Sequence, residues 1–179
     1  EGLFRGWLAA FQAKFRADED EYLRIAGEGP RAELLYWRRV LRDATLLLEL
    51  TRTADFQSVR SELAAQSKKG EERKMLAEYK VVEARLADRV SEARDNVKYL
   101  ATLESFLEPL YSGSLEDIVE VLPSLMNAVK MVHSISRYFN TSRQLNALFG
   151  KITHQLVRTC IQRVQGESAE QLWTADCAQ

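Results

Sequence analysis

Residues 71–108, EERKMLAEYKVVEARLADRVSEARDNVKYLATLESFLE, contain neither glycine nor proline. Their apolar members fall at Met75, Tyr79, Val82, Leu86, Val90, Ala93, Val97 and Leu100, steps of three and four that place them along one face of an α-helix. The other positions mix Glu, Lys and Arg, the pattern of a solvated face. At 1.5 Å per residue such a helix spans on the order of 55 Å, which suits an elongated bundle better than a compact single domain. Downstream, Pro109 and Gly113 end this helix, and Ser114-Leu115-Glu116-Asp117 has capping-box spacing. Leu115, Ile118, Val119 and Leu122 follow, and Pro123 is expected to open a helix with Leu125, Val129, Val132, Ser136 and Phe139 on one face. Asn140 fits a left-handed C-terminal cap, and Thr141-x-x-Gln144 is a second capping box. The last stripe is Leu145, Leu148, Ile152, Leu156, Cys160 and Val164, closed by Gly166.

Upstream, Phe4, Leu8, Phe11, Phe15, Asp18, Tyr22 and Ile25 form another seam. Asp18 interrupts it within Asp18-Glu19-Asp20-Glu21, a run expected to be a solvated face or a bend, since a hard-cation loop needs glycine and mixed spacing. Gly27-Glu28-Gly29-Pro30 stops the helix, and the next carries Leu34, Trp37, Leu41, Ala44 and Leu48 to about Arg52-Thr53. Asp55 is the expected N-cap of a short helix with Phe56, Val59 and Leu63 inward, and Ser67-Lys68-Lys69-Gly70 reads as a loop. The sequence therefore predicts an all-α, elongated helical bundle of about six helices with one long central helix. Residues 1–112 form a first helical segment with breaks near 27–30, 53–55 and 67–70; residues 113–166 form a second with a break near 140–142; residues 167–179, with Leu172-Trp173, dock onto a neighbouring region.

Composition narrows the function classes. With 25 Lys+Arg against 26 Asp+Glu the net charge is −1, unlike the clearly basic balance of a nucleic-acid module. A hydrophobic fraction of 46% with 28% charged residues argues for a folded chain, and a chain of this length can bury about 70% of its unfolded surface. Two cysteines are too few for a disulfide framework and point to a reducing compartment. No apolar run is expected to reach membrane-spanning length, and the start, without Met or signal-peptide pattern, reads as part of a longer chain.

The sequence shows no reacting constellation. Gly150-Lys151 imitates the end of a phosphate loop, but residue 145 is Leu, residue 152 is Ile, and the segment is mid-helix. His133 and His154 are preceded at three residues by Lys130 and Lys151, not by the glutamate of a bundle metal site, and read as surface or rim residues. Cys160 reads as a small buried hydrophobe, and Cys177 has no nearby His to activate it. Asn140-Thr141-Ser142 matches a glycosylation sequon, for which capping is the better account. One charge feature stands out: between Val121 and Gly166 no acidic residue occurs, while Lys130, Arg137, Arg143, Lys151, Arg158 and Arg163 do. Seven-residue spacing puts Lys130 with Arg137 and Lys151 with Arg158 on shared helix faces, either solvated or docking an acidic partner or neighbouring helix.

At this point several ordered stretches resemble one family. Glu92 to Glu104 is similar to the axonemal dynein heavy chain tail signature E-A-x-D-N-V-K-Y-L-x-T-L, and Ser136-Arg137-Tyr138-Phe139-Asn140-Thr141 resembles S-R-Y-Y-N-T, with Phe139 a departure. Leu122-Pro123-x-Leu125-Met126-Asn127 and Met131-Val132-His133-x-Ile135 also fit, and Gly29-Pro30-Arg31-Ala32-Glu33-Leu34-x-Tyr36-Trp37 resembles G-P-x-x-E-L-x-x-W, the outer-arm version more than the cytoplasmic one. The resemblance implies a segment of a curved, helical tail of a microtubule motor in the cilium or flagellum, with the ATPase ring and its ATP and Mg elsewhere and no cofactor here. It implies other heavy-chain tails, intermediate chains, light chains and docking-complex proteins as partners. Trp37, Asp95, Asn96, Tyr99, Leu100, Arg137, Tyr138, Asn140 and Thr141 become structural signature residues, with Asp95 and Asn96 expected to hydrogen-bond across bundle layers. The candidate contact residues are Lys130, Arg137, Arg143, Lys151, Arg158 and Trp173. A free-standing spectrin-like tether, a bundle metalloenzyme and a basic RNA-binding bundle are the alternatives, separable by transcript length, metal content and salt-dependent binding.

Overall fold

A computed structural model describes residues 2–66 and 70–176, with side chains for residues 2–65 and 70–165. Among the described residues there is no strand, and seven α-helices follow one another: α1 Gly2–Arg24, α2 Pro30–Leu50, α3 Ala54–Gln66, α4 Glu71–Leu107, α5 Pro109–Ser112, α6 Leu115–Ile135 and α7 Ser142–Asp176, with a 3-10 turn at Ile25–Gly27. The all-α expectation holds, and the uninterrupted pattern that decided it is the 37-residue α4. The helices divide into two compact units: Glu1–Ile25 with Leu35–Val97, and Ala26–Leu34 with Lys98–Gln179.

The first unit is built on aromatic residues. Phe4, Leu8, Phe11 and Phe15 of α1 are buried, as the seam required, together with Phe56, Leu63, Met75, Tyr79, Val82, Leu86 and Val90. Phe56 is the hub: its ring centroid lies 4.7 Å from Trp7, 5.3 Å from Tyr79 and 5.7 Å from Phe4. Each large apolar side chain buried here stabilises by about 1.5–3 kcal/mol, and each ring pair adds about 0.5–1.5 kcal/mol. The N-cap of α3 is Thr53 rather than Asp55: Thr53 Oγ1 accepts from Phe56 N at 3.4 Å, and Asp55 lies inside the first turn. The hydroxyl captures an amide three residues ahead, so the helix starts two residues earlier than an Asp55 cap would allow.

The second unit buries Leu100, Leu103, Leu107, Leu110, Ile118, Leu125, Val129, Val132, Phe139, Leu148 and Ile152, with α5 packed on α6 and α7, and α6 on α7. Ser114 caps α6 as predicted: Asp117 N donates to Ser114 Oγ at 3.1 Å and Ser114 N donates to Asp117 Oδ2 at 2.8 Å. Those bonds from the Ser114 backbone and hydroxyl hold the Asp117 carboxyl below its ordinary range. Gly113 precedes the cap because a Cβ there would sit 2.8 Å from the Pro109 carbonyl oxygen.

Three boundaries differ from expectation. Pro123 opens no helix but lies within α6; it and Val119, whose carbonyl it leaves unbonded, are both on an exposed side, where water can take over. The helix ends at Ile135 because Ser136 turns extended (φ −80°, ψ 137°) and its hydroxyl accepts from Tyr138 N and Phe139 N at 3.2 and 3.1 Å. Asn140 is no left-handed cap, since no non-glycine residue among those described has a positive φ. Thr141 does cap α7, accepting from Gln144 N at 3.4 Å, but α7 runs through Gly166 to Asp176. By length and composition α6 also reaches what is needed to cross a membrane, contrary to the expectation from the sequence; its buried Leu125, Val129 and Val132 are those of a bundle helix.

Candidate partner-binding surfaces and the residues that brace them

The first unit carries a dense polar cluster beside its aromatic core. Asp18, read as a solvated interruption, is instead 4% exposed. Its Oδ1 pairs with Lys14 Nζ at 3.0 Å and with Arg39 Nη1 at 3.3 Å. Arg39 Nη2 lies 2.6 Å from Glu21 Oε2, close enough to pair by charge though poorly aligned for a hydrogen bond. Lys14 also reaches Asp43 at 2.9 Å. Burial alone would lower the Lys14 ammonium, but its bonds to Asp43 and Asp18 outweigh it and hold it above its ordinary value. The Asp43 carboxyl is likewise held low by Lys14 and Arg42 against the opposing effect of burial.

Tyr36 joins this cluster to α4. Its hydroxyl donates to the Asp18 carbonyl at 3.0 Å and accepts from Arg89 Nη2 at 2.7 Å. Burial pushes the phenol up to about 12, against the pull of the Arg89 guanidinium. Arg89 lies over the Trp37 ring at 5.0 Å and pairs with Glu92 at 2.8 Å. Trp37, 1% exposed, is thus a core residue roofed by a cation, and Glu92, the first residue of the E-A-x-D-N-V-K-Y-L signature stretch, anchors that cation.

The second unit has a polar brace of its own. Glu33 and Lys151, 118 residues apart, meet with Oε2–Nζ at 2.8 Å, at 2% and 6% side-chain exposure. Below them Gln155 Nε2 donates to Thr159 Oγ1 at 3.0 Å, and Thr159 Oγ1 donates to the Leu110 carbonyl at 2.6 Å. Tyr111 Oη accepts from Arg31 N at 3.1 Å, while Arg31 stacks on its ring at 5.7 Å. A Cβ at Gly29 would meet Tyr111 Oη at 2.6 Å and Gln155 Oε1 at 2.9 Å, which explains glycine there.

The predicted contact residues divide accordingly. Lys130, Arg137, Arg143 and Arg158 are exposed. Lys151 is not: it is buried against Glu33, so the shared Lys151/Arg158 face is split between an internal ion pair and solvent. Lys130 and Arg137 share no helix face either, because α6 ends between them. Trp173 lies outside the residues whose side chains are described. Arg163 donates to the Ser112 carbonyl at 3.1 Å. Of the signature residues, Asn96 is fully buried but finds no hydrogen-bond partner for its amide among the described residues, contrary to the expected cross-layer bond. Tyr99 is half-buried beneath Lys98 at 5.1 Å, Leu100 is buried, Asp95 and Tyr138 are half-buried, and Asn140 and Thr141 are exposed in the turn before α7.

Sequence reasoning missed the buried polar stripe of α7, where Lys151, Gln155 and Thr159 take positions assigned to Leu156, Cys160 and Val164. The i, i+4, i+8 spacing of Lys151, Gln155 and Thr159 was the available signal. An open groove of about 750 Å³ is lined by Phe106, Glu108, Pro109, Asp117, Glu120 and Val121. Its Asp117 already serves the α6 cap and its Glu108 faces Arg31 at 3.6 Å. No three His, Cys, Asp or Glu among the described residues are grouped to hold a metal ion.

A helical scaffold braced by buried ion pairs, with exposed cations on the outside, is a class the comparisons narrow. The whole chain, residues 1–179, matches dynein heavy chain, N-terminal region 1, and the chain belongs to that family. It is 37% identical over 175 residues to dynein axonemal heavy chain 5 of Mus musculus, covering 97% of this chain and 4% of that protein. It is 35% identical over 148 residues to the dynein gamma chain, flagellar outer arm, of Chlamydomonas reinhardtii, covering 83% of this chain and 3% of that one. Dynein axonemal heavy chain 8 of Homo sapiens is 31% identical over 157 residues, or 87% and 3%. The chain therefore spans only a few hundredths of the length of these relatives.

Proposed function

We propose that this chain is an assembly segment of an axonemal dynein heavy chain tail, working in the cilium or flagellum as a passive, force-bearing scaffold that docks accessory chains. The observation that carries the reading is the family match along all of residues 1–179, with relatives named for the axoneme and the flagellar outer arm. The packing supports it. Interdigitated aromatic residues resist sliding between helices, and buried charge pairs such as Glu33–Lys151 fix one register, because any slip leaves a charge without its partner. In this reading the segment itself does no chemistry; nucleotide hydrolysis, with ATP and Mg, belongs to a ring elsewhere in the motor.

The exposed cations Lys130, Arg137, Arg143 and Arg158, with the Trp173 end, are the proposed contacts for intermediate and light chains or a neighbouring tail. Lys151 contributes from inside, holding the helix that presents Arg143 and Arg158. Reversing the four exposed cations to Glu in the full-length heavy chain should lower co-purification of intermediate and light chains while leaving far-ultraviolet circular dichroism unchanged. Undiminished co-purification would refute the docking role.

A further inference from the structure

Helix α7 sends apolar residues in two directions. Leu148 and Ile152 are buried, whereas Val157, Ile161 and Val164 are 50%, 51% and 54% exposed. Gly150 and His154, on the same line, are exposed as well. The positions 150, 154, 157, 161 and 164 advance by four, three, four and three. That is the seam of a helix that packs lengthwise against another, and it lies on the side of α7 opposite its buried residues. Exposed apolar residues scattered by chance would not keep this period. Gly150 leaves a notch in the line, with open space around the place of a Cβ.

The charges around the seam select what covers it. Arg143 stands seven residues before Gly150 on the same line, and Arg158 borders it beside Val157 and three residues before Ile161; both are exposed. No Asp or Glu occurs from Val121 to Gly166 to offset them. Flanks of one sign favour the opposite sign on the incoming helix. The same argument disfavours a second copy of α7, whose flanks are equally basic. Resting on the docking reading above, we infer that the α7 seam receives an amphipathic helix of a partner polypeptide whose apolar stripe is bordered by Asp and Glu.

The test uses the 179-residue chain and two synthetic helices about four heptads long. They share an Ile/Leu seam and differ only in carrying Glu or Lys at the flanking positions, and binding is read by fluorescence anisotropy at physiological salt. The Glu-flanked helix should bind at least about tenfold more tightly, and Arg143→Glu with Arg158→Glu should reverse the order. Ile161→Asp should abolish binding with helicity retained, and the milder Val157→Ser should weaken it. Equal binding of the two helices, full binding by the Ile161→Asp chain, or a preference for phosphatidylserine vesicles over the Glu-flanked helix would overturn the inference. Lost peptide preference alongside cation-dependent co-purification of accessory chains would reject the seam yet leave the docking role standing.

Discussion

Lys151→Met tests whether the second unit is held in register by a buried charge. The substitution removes the ammonium 2.8 Å from Glu33 Oε2 and leaves a carboxylate at 2% exposure facing an apolar side chain. Breaking such a pair from one side costs about 3–5 kcal/mol, against about 0–1 kcal/mol for a solvent-exposed pair. For a chain of this size that is a fall in Tm of roughly 6–20 °C. Glu33→Leu should cost a similar amount. The double variant Glu33→Leu/Lys151→Met should recover most of the loss or exceed the parent, because neither desolvation penalty remains. The expected coupling energy is therefore about 3 kcal/mol or more, read from urea unfolding followed by far-ultraviolet circular dichroism across the four-member cycle. Single variants costing under about 1 kcal/mol, with a double that merely sums them, would show that the pair behaves as a surface contact and would refute the reasoning.

Three further outcomes follow from the same polar interior. Gly29→Ala should destabilise by about 1–3 kcal/mol, because the new Cβ meets Tyr111 Oη at 2.6 Å; adding Tyr111→Phe should restore part of it, and no recovery would contradict the clash. With the Tyr36 phenol raised by burial to about 12 from 10.0, its contribution of about 2–3 kcal/mol is complete below pH 10 and lost between pH 10 and about 12. Tyr79, Tyr111 and Lys14, also raised, act in the same direction; phenolate absorbance and unfolding free energy measured together would check it, and stability flat across that window would contradict it. Asn96→Leu should leave stability unchanged or raise it by about 1–3 kcal/mol, since the buried amide has no partner among the described residues to lose; a loss above about 1 kcal/mol would show that it has one.

Helix existence was legible because it depends on local spacing. The seams of α1 and α4 reappear almost residue for residue: Phe4, Leu8, Phe11 and Phe15 are buried, as are Met75, Tyr79, Val82, Leu86, Val90, Ala93 and Leu100. Capping was legible where one side chain could satisfy one nearby amide, as at Ser114 and Thr141. What failed depended on distant partners. Asp18 interrupts an apolar seam and so reads as solvated; Lys14 lies one turn away on the same helix, and Arg39, brought in from α2 by folding, adds the second cation that makes burial affordable. Lys151 reads as the mate of Arg158 by its period, yet its mate is Glu33, 118 residues away. Pro123 reads as a helix start because its missing N–H forbids an interior bond, a penalty that exposure on α6 reduces.

These failures share a physical cause, and it bears on what Gly29, Glu33 and Trp37 do within their units. Apolar seams with steps of three and four are interchangeable: a helix slipped by one turn still buries leucines. Charged and shape-critical groups are not. Glu33 has its cation at one level of α7, Gly29 has clearance for Tyr111 Oη at one height, and Trp37 lies under Arg89, whose guanidinium Glu92 and the Tyr36 hydroxyl hold. Gly29, Glu33 and Trp37 belong to one nine-residue stretch, and the first two serve the second unit while the third serves the first. If the segment carries load as proposed, such register pins serve it better than extra apolar area, since a slip of even one turn would put a buried charge against hydrocarbon. Under the scaffold role proposed above, Gly29, Glu33 and Trp37 are therefore the residues that forbid sliding inside their own units, where interchangeable apolar seams would allow it.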